Sequence, residues 1–192
     1  SFQDFKCNVH ISGRNGPAGI KASLKRLSQE ARNVITIEND ENKWGIEHSL
    51  ELADDLALVL DVHHTWCREG EYLSPNDDRF KRIVDSWRGV RPAIHYSYSR
   101  AEYVGHIDTH TKPNFPALLE QGYKKGKLRG HSDWYPNQAV NEYALSFLEH
   151  TDIMCEAKMK NLASIKLYEF WKRSKEPVTT IFESKANTPA YA

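Results

Sequence analysis

Leu56-Ala57-Leu58-Val59-Leu60-Asp61-Val62-His63-His64 is an almost unbroken apolar run that ends in one carboxylate and two imidazoles. A run without alternation suits a strand covered on both faces, the mark of a parallel sheet; a sheet wet on one side would alternate apolar and polar residues. Four further runs share this design: Cys7–Ile11, Val34–Glu38, Ala93–Ser97 and Asp152–Lys158 each carry a charged or imidazole residue near their end. Five buried strands with polar tips are expected.

Between the runs, apolar residues recur with the 3.6-residue period of an amphipathic helix. The sets are Ile20, Leu24, Leu27 and Ala31; Ile46, Leu50, Ala53 and Ala57; Phe80, Ile83, Val84 and Trp87; and Val140, Tyr143, Ala144, Phe147 and Leu148. A last amphipathic stretch, Leu162 to Arg173, follows the fifth run. This βα alternation predicts an α/β fold, either an open doubly wound sheet or a (β/α) TIM-type barrel. The glycine-rich fingerprints of the doubly wound class are missing, and Gly13-Arg14-Asn15-Gly16-Pro17 reads as a turn, so no nucleotide cofactor is expected. Two segments break the rhythm: Tyr98 to Gly130 reads as a polar insertion, and residues 175–192 as a polar tail behind a single domain of residues 1–174.

Lys plus Arg balances Asp plus Glu at 26 each, so any contact with nucleic acid has to come from local patches. The candidate patch is Lys124, Lys125, Lys127 and Arg129, followed by Trp134 and Tyr135. Such residues grip phosphates and stack on bases; the plainer reading is a solvated loop. Three cysteines without CxxC spacing argue against a disulfide framework and a structural zinc knuckle, and Cys67 reads as a free structural thiol. The first residues lack a secretory apolar stretch, and no run approaches the roughly 20 apolar residues of a membrane span. A soluble, intracellular protein with no membrane partner is expected.

In a parallel barrel the reactive groups gather at the C-terminal ends of the strands. His10, Glu38, Asp61, His63, His64, His95 and Glu156 fall there, and His131 stands just before the helix that leads to the fifth strand. A lone strand histidine is ordinarily a hydrogen-bonded structural residue, but recurrence at five strand ends points to a shared task. Imidazoles mixed with carboxylates suit zinc, manganese or iron, and buried carboxylates call for a nearby cation. No GxSxG elbow is present, which leaves metal-assisted hydrolysis or isomerisation.

The segments Ile35-Thr36-Ile37-Glu38-Asn39-Asp40, Leu58 to His64, Ile94-His95-Tyr96-Ser97, His131-Ser132-Asp133 and Asp152 to Lys158 resemble, in order, the motifs of UV damage endonucleases. The resemblance implies a partial barrel made of about five C-terminal βα units. It implies metal ligation by His10, Glu38, Asp61, His64, His95, His131 and Glu156, with Glu38, Asp61 and Glu156 catalytic. The implied cofactor is a cluster of divalent cations, manganese foremost and zinc or magnesium as alternatives. The implied reaction is hydrolysis of a phosphodiester 5′ of a UV photoproduct in damaged double-stranded DNA, in the cytoplasm or nucleoid, or in the nucleus of a eukaryote. Where the family carries a lysine, two residues before the histidine of the Ile-His-Tyr segment, this chain has Ala93. The family also has further βα units ahead of the point where this chain begins, so a missing N-terminal half is an expected partner. Metal-dependent sugar isomerases and apurinic-site endonucleases share the superfamily and the ligand types, and a catalytically silent fragment that binds damaged DNA is a third reading.

Overall fold

The structure, a computed structural model, describes residues 6–176. Its strands are β1 (Cys7–His10), β2 (Ile35–Glu38), β3 (Ala57–Asp61), β4 (Ala93–Tyr96) and β5 (Asp152–Cys155), all parallel and in the spatial order β1-β2-β3-β4-β5. The helices are α1 (Gly16–Leu24), α2 (Gln29–Val34), α3 (Ile46–Leu50), α4 (Val62–Glu69), α5 (Asp78–Ser86), α6 (Ala101–Val104), α7 (Phe115–Glu120), α8 (Lys125–Leu128), α9 (Gln138–Leu145) and α10 (Asn161–Lys175). All five expected strands form. The sheet they make is open, with β1 and β5 as its edges, and is not closed into a barrel among the described residues.

Strand side chains alternate between the two faces, and the two faces here have different tasks. Leu58 and Leu60 of β3, Ile37 of β2 and Ile94 and Tyr96 of β4 face the helices, where they join Ile46, Trp66, Phe80, Ile83, Ala144 and Phe147 in the main core. Ala57 and Val59 point the other way and meet Trp87, Val90 and Ala93 in a small second cluster. Asp61 continues that face at the tip of β3, as Glu38 follows Thr36 on β2 and His95 follows Ala93 on β4. The register aligns His10 with Glu38 and Asp61 with His95, which sets the polar tips side by side.

Three local departures from the periodicity have plain causes. The helix expected from Ile20 to Ala31 is two helices, because Ser28 caps a new one, its hydroxyl accepting from Ala31 N at 3.3 Å. The helix expected from Ile46 to Ala57 ends at Leu50, and tight turns carry buried Leu52, Ala53 and Leu56 into β3. The run to His64 is not one strand: Asp61 Oδ1 accepts from His63 N at 2.7 Å and His64 N at 2.8 Å, which starts α4 at Val62.

The segment from Tyr98 to Gly130 is less solvated than its composition suggests. Val104, Phe115, Leu118 and Leu128 are buried in the core, and Trp66 and Tyr72 of the α4 region both donate to Pro113 O, at 2.8 and 3.0 Å. No helix among the described residues is long and apolar enough to cross a membrane, and Cys7, Cys67 and Cys155 are free. Of the expected tail, only Lys175 and Glu176 lie within the described residues; Lys175 ends α10.

The open edges carry exposed apolar groups, with Val9 45 % and Met154 55 % accessible. Unpaired edge strands template further pairing. The isolated chain is therefore expected to self-associate as its concentration rises in sedimentation velocity, and Val9→Lys to shift it towards monomer. Concentration-independent monomers would show that the edges are inert.

Candidate metal centre

Glu38 is the hub of the polar tips and is only 1 % accessible. Its Oε2 lies 3.4 Å from His10 Nε2 and 3.2 Å from His95 Nδ1, and its Oε1 lies 3.3 Å from His64 Nδ1. Asn8, one turn of the pleat below His10, donates to Oε2 and is itself held by Thr36 Oγ1 at 2.9 Å. Asp61, fully buried, turns Oδ2 towards His64 Nε2 at 3.6 Å. Glu156, just past β5, brings Oε1 to 3.1 Å from His95 Nδ1. Donor atoms close enough to share one ion occur in three sets: Glu38, Asp61 and His64; Asp61, His95 and Glu156; and His10, Glu41 and His64.

Three buried atoms of this cluster have no hydrogen-bond partner: Glu38 Oε1, Asp61 Oδ2 and His95 Nδ1. Buried polar groups are ordinarily satisfied, and an unmet carboxylate oxygen is costly. His64 Nδ1 donates to Asn39 O at 2.8 Å and His131 Nδ1 donates to Glu156 O at 3.1 Å. A backbone carbonyl on one ring nitrogen fixes the tautomer that leaves Nε2 as a lone pair, which is how ligating histidines are held. Oxygen and imidazole donors, orphaned atoms and fixed tautomers together fit divalent transition cations.

The pKa values of the cluster follow from burial and from the charges packed around each group. Burial opposes the charged ring of His95, but the carboxylates of Glu156 and Glu38 outweigh it and hold the imidazole up at about 10. Burial likewise works against charged Glu38, yet His95, then His10 and His64, keep its carboxyl down at about 2. Asp61 goes the other way: burial, aided by the like charges of Glu38 and Glu156 and opposed by His64, raises it to about 7. Two carboxylates in one cluster are thus driven apart by their surroundings.

Six of the seven ligand candidates contribute to the three donor sets; His131 does not, although its ring stands 6.0 Å from that of His63. His63 points away from the cluster, stacked on Trp66 at 5.4 Å, where burial drives its pKa down to about 3 and keeps it neutral. Cys67 is buried beside it, Sγ 3.8 Å from His63 Nε2, and joins none of the sets. Of the nucleic-acid candidates, Lys124 and Lys127 are exposed and Lys125 partly so. Arg129 Nη1 donates to Glu41 Oε1 and Asn42 Oδ1, each at 3.0 Å. Trp134 lies under Lys166 Nζ at 3.9 Å. Tyr135 stacks on Tyr96 at 4.5 Å, and its hydroxyl donates to Tyr96 O and accepts from Ala157 N.

Sequence reasoning passed over Asn39 and Glu41, although both stand in the same short segment as Glu38. Asn39 is buried; Nδ2 donates to Asp61 O and Thr65 Oγ1, each at 3.2 Å, and Oδ1 accepts from Asp61 N at 2.8 Å. Asn39→Ala leaves those groups unmet, so a loss of about 2–3 kcal/mol is expected in urea unfolding. A loss below the error of the measurement would mean that water replaces the amide.

Residues 2–186 match the family model described as UV-endonuclease UvdE. The chain is 23% identical over 179 residues to the UV DNA damage endonuclease of Bacillus velezensis, an alignment covering 84% of this chain and 47% of that protein. It is 29% identical over 105 residues to the UV-damage endonuclease of Neurospora crassa, covering 46% of this chain and 16% of that protein. The crystal structure of SacUVDE superposes with a TM-score of 0.61 at 21% identity, covering 90% of this chain and 53% of that one. The chain thus spans about half the length, or less, of these relatives. With a family model matched along nearly its whole length and a shared fold beneath it, the chain belongs to the UV-endonuclease UvdE family.

Proposed function

We propose that this chain is the metal-binding portion of a DNA-repair endonuclease that hydrolyses a phosphodiester 5′ of UV photoproducts in duplex DNA. The observation that carries the reading is the convergence of Glu38, Asp61, His95 and Glu156, three of them with orphaned buried atoms, at the tips of four neighbouring strands. Divalent cations, manganese foremost and zinc or magnesium as alternatives, would polarise the phosphoryl oxygens and supply a nucleophile near neutral pH.

Glu38, Asp61 and Glu156 hold the negative charge that such cations need; Asn8 holds the Glu38 carboxylate in place, and Asn39 and Thr65 hold the backbone of Asp61. His64 and His131 each donate Nδ1–H to a backbone carbonyl, which fixes the direction in which Nε2 would meet a cation. Lys124, Lys125 and Lys127 offer cationic contacts for phosphates, so affinity for DNA falls as salt rises. The site-bearing part lies within the single domain expected over residues 1–174. The remainder of the longer relatives corresponds to the partner half that closes the sheet edges and completes the contacts to the damaged duplex inside the cell.

The test is nicking of irradiated against unirradiated labelled duplex by the full-length protein and by this chain, with manganese or a chelator, and with Glu38→Ala as control. Metal-dependent cutting of irradiated DNA alone, 5′ of the lesion, supports the reading. No cutting by either preparation, or turnover of a free aldose instead, overturns it.

A further inference from the structure

Of Glu38, Asp61 and Glu156, only the last has to be placed by an edge strand. Glu38 and Asp61 end β2 and β3, which have a neighbour on each side, and both are closed to solvent. Glu156 lies one residue past β5, beyond the last aligned pair of Tyr96 and Cys155, and its side chain is 27% accessible. Its backbone is held instead by residues 131–135. Glu156 N donates to Tyr96 O at 2.9 Å, and Glu156 O accepts from His131 Nδ1 at 3.1 Å. Ala157 N donates to the Tyr135 hydroxyl at 2.9 Å, and that hydroxyl donates to Tyr96 O at 3.0 Å. Lys158 N and Met159 N then donate to Ser132 O and Asp133 O at 2.9 and 3.2 Å. The hydroxyl thus joins the last carbonyl of β4 to an amide past the end of β5, and continues the ladder by one step where the strands have stopped. Its ring is fixed in turn, stacked on Tyr96 with centroids 4.5 Å apart. Asn141, 4% accessible, donates Nδ2 to Tyr135 O at 3.0 Å and accepts from the Tyr96 hydroxyl at 2.7 Å.

We propose that Tyr135 is a positioning residue for Glu156: its hydroxyl ties the residue after Glu156 to the end of β4 and so aims the carboxylate at His95, which it reaches at 3.1 Å. The inference rests on the metal-dependent reading of the centre. It gives Tyr135 an inward task in place of the base stacking that its sequence neighbourhood suggests, since one face of the ring is covered by Tyr96. A carboxylate that must be ordered as it takes up a cation binds more weakly than one already held, because the ordering costs conformational freedom. Groups that hold ligands from outside account for about 10–100-fold in metal affinity. Burial pushes the Tyr135 phenol above its ordinary range, so the hydroxyl keeps its proton and the bridge persists at neutral pH. Phenylalanine at this position keeps the stack and removes the bridge alone. Buried Ala157 is left with an unmet amide, Tyr96 O keeps only the bond from Glu156 N, and Glu156 gains freedom.

The experiment strips the full-length protein of metal and titrates it with manganese by calorimetry. Tyr135→Phe is expected to weaken uptake about tenfold. Tyr72→Phe is the reference, because the Tyr72 hydroxyl also makes a 3.0 Å bond to a backbone carbonyl, that of Pro113, and touches no residue of the donor sets. It should lose comparable stability in urea and bind manganese like the parent. Glu156→Gln tests the route: Tyr135→Phe added to it should weaken uptake by much less than about tenfold, since the hydroxyl acts through that carboxylate. If the parent takes up no manganese, or Glu38→Ala binds like the parent, the metal reading falls and this inference with it. If Glu38→Ala loses metal while Tyr135→Phe binds like the parent, the positioning role alone falls. Equal weakening by Tyr72→Phe, or an undiminished loss on top of Glu156→Gln, makes the hydroxyl a general brace of the fold and overturns the role as well.

Discussion

Asp61→Asn is expected to make the metal-free protein more stable at pH 8 while removing its response to manganese. The folded chain raises Asp61 from 3.8 to about 7, chiefly by burial. Between those values the fold binds a proton that the unfolded chain releases, so stability falls as pH climbs from about 4 to above 7. At pH 8 the buried anion costs on the order of 2–4 kcal/mol. Asparagine removes that cost and keeps the helix cap, because its oxygen can still accept from His63 N and His64 N. Its amide then meets His64 Nε2 as a donor. Thermal unfolding with and without manganese checks this: Tm should rise in the metal-free variant at pH 8, match the parent near pH 4, and no longer climb with added metal. A destabilised variant at pH 8 would mean that Asp61 is ionised without strain.

Glu38→Gln is expected to do the reverse to the metal-free fold. Here the folded pKa is depressed, from 4.5 to about 2, so the stabilisation is present above pH 4.5 and is lost as pH falls towards 2. Removing the charge should cost about 3 kcal/mol at neutral pH, because His95 loses its most buried counter-charge. The same change takes away the carboxylate that touches three imidazoles, so metal retention should collapse and nicking by the full-length protein should fall by at least about three orders of magnitude. Urea unfolding and single-turnover cleavage read the two effects separately. Near-parent cleavage would remove Glu38 from the centre.

The five strands were legible because each is a short apolar run with a polar stop; burial on both faces accounts for that pattern in β2 and β3, whereas the edge strands β1, exposed along its length, and β5, exposed at Asp152 and Met154, are not buried as expected. The ligand candidates were legible for the same reason: a charged tip on a buried strand stands out. What stayed hidden depends on contacts between distant segments. Asp61 serves both as strand end and as helix cap, and an apolar run that passes through Val62 conceals that change of direction. Glu41 looks like one more loop acid until Arg129, 88 residues away, is placed against it. The insertion reads as polar because its anchors, Val104, Phe115, Leu118 and Leu128, are too widely spaced to show a period.

The junction at Asp61 also bears on how the chain folds. Asp61 and His64 are brought together by a single helical turn, with no long loop to close first, and such local contacts form early. A cation bridging them would bind before the outer strands are in place, stabilising the folding nucleus as well as the native state. Manganese added to the refolding buffer should then accelerate folding rather than only slow unfolding, and the Asp61–His64 turn should show high φ-values. The ion would act as a template for the sheet that later encloses it.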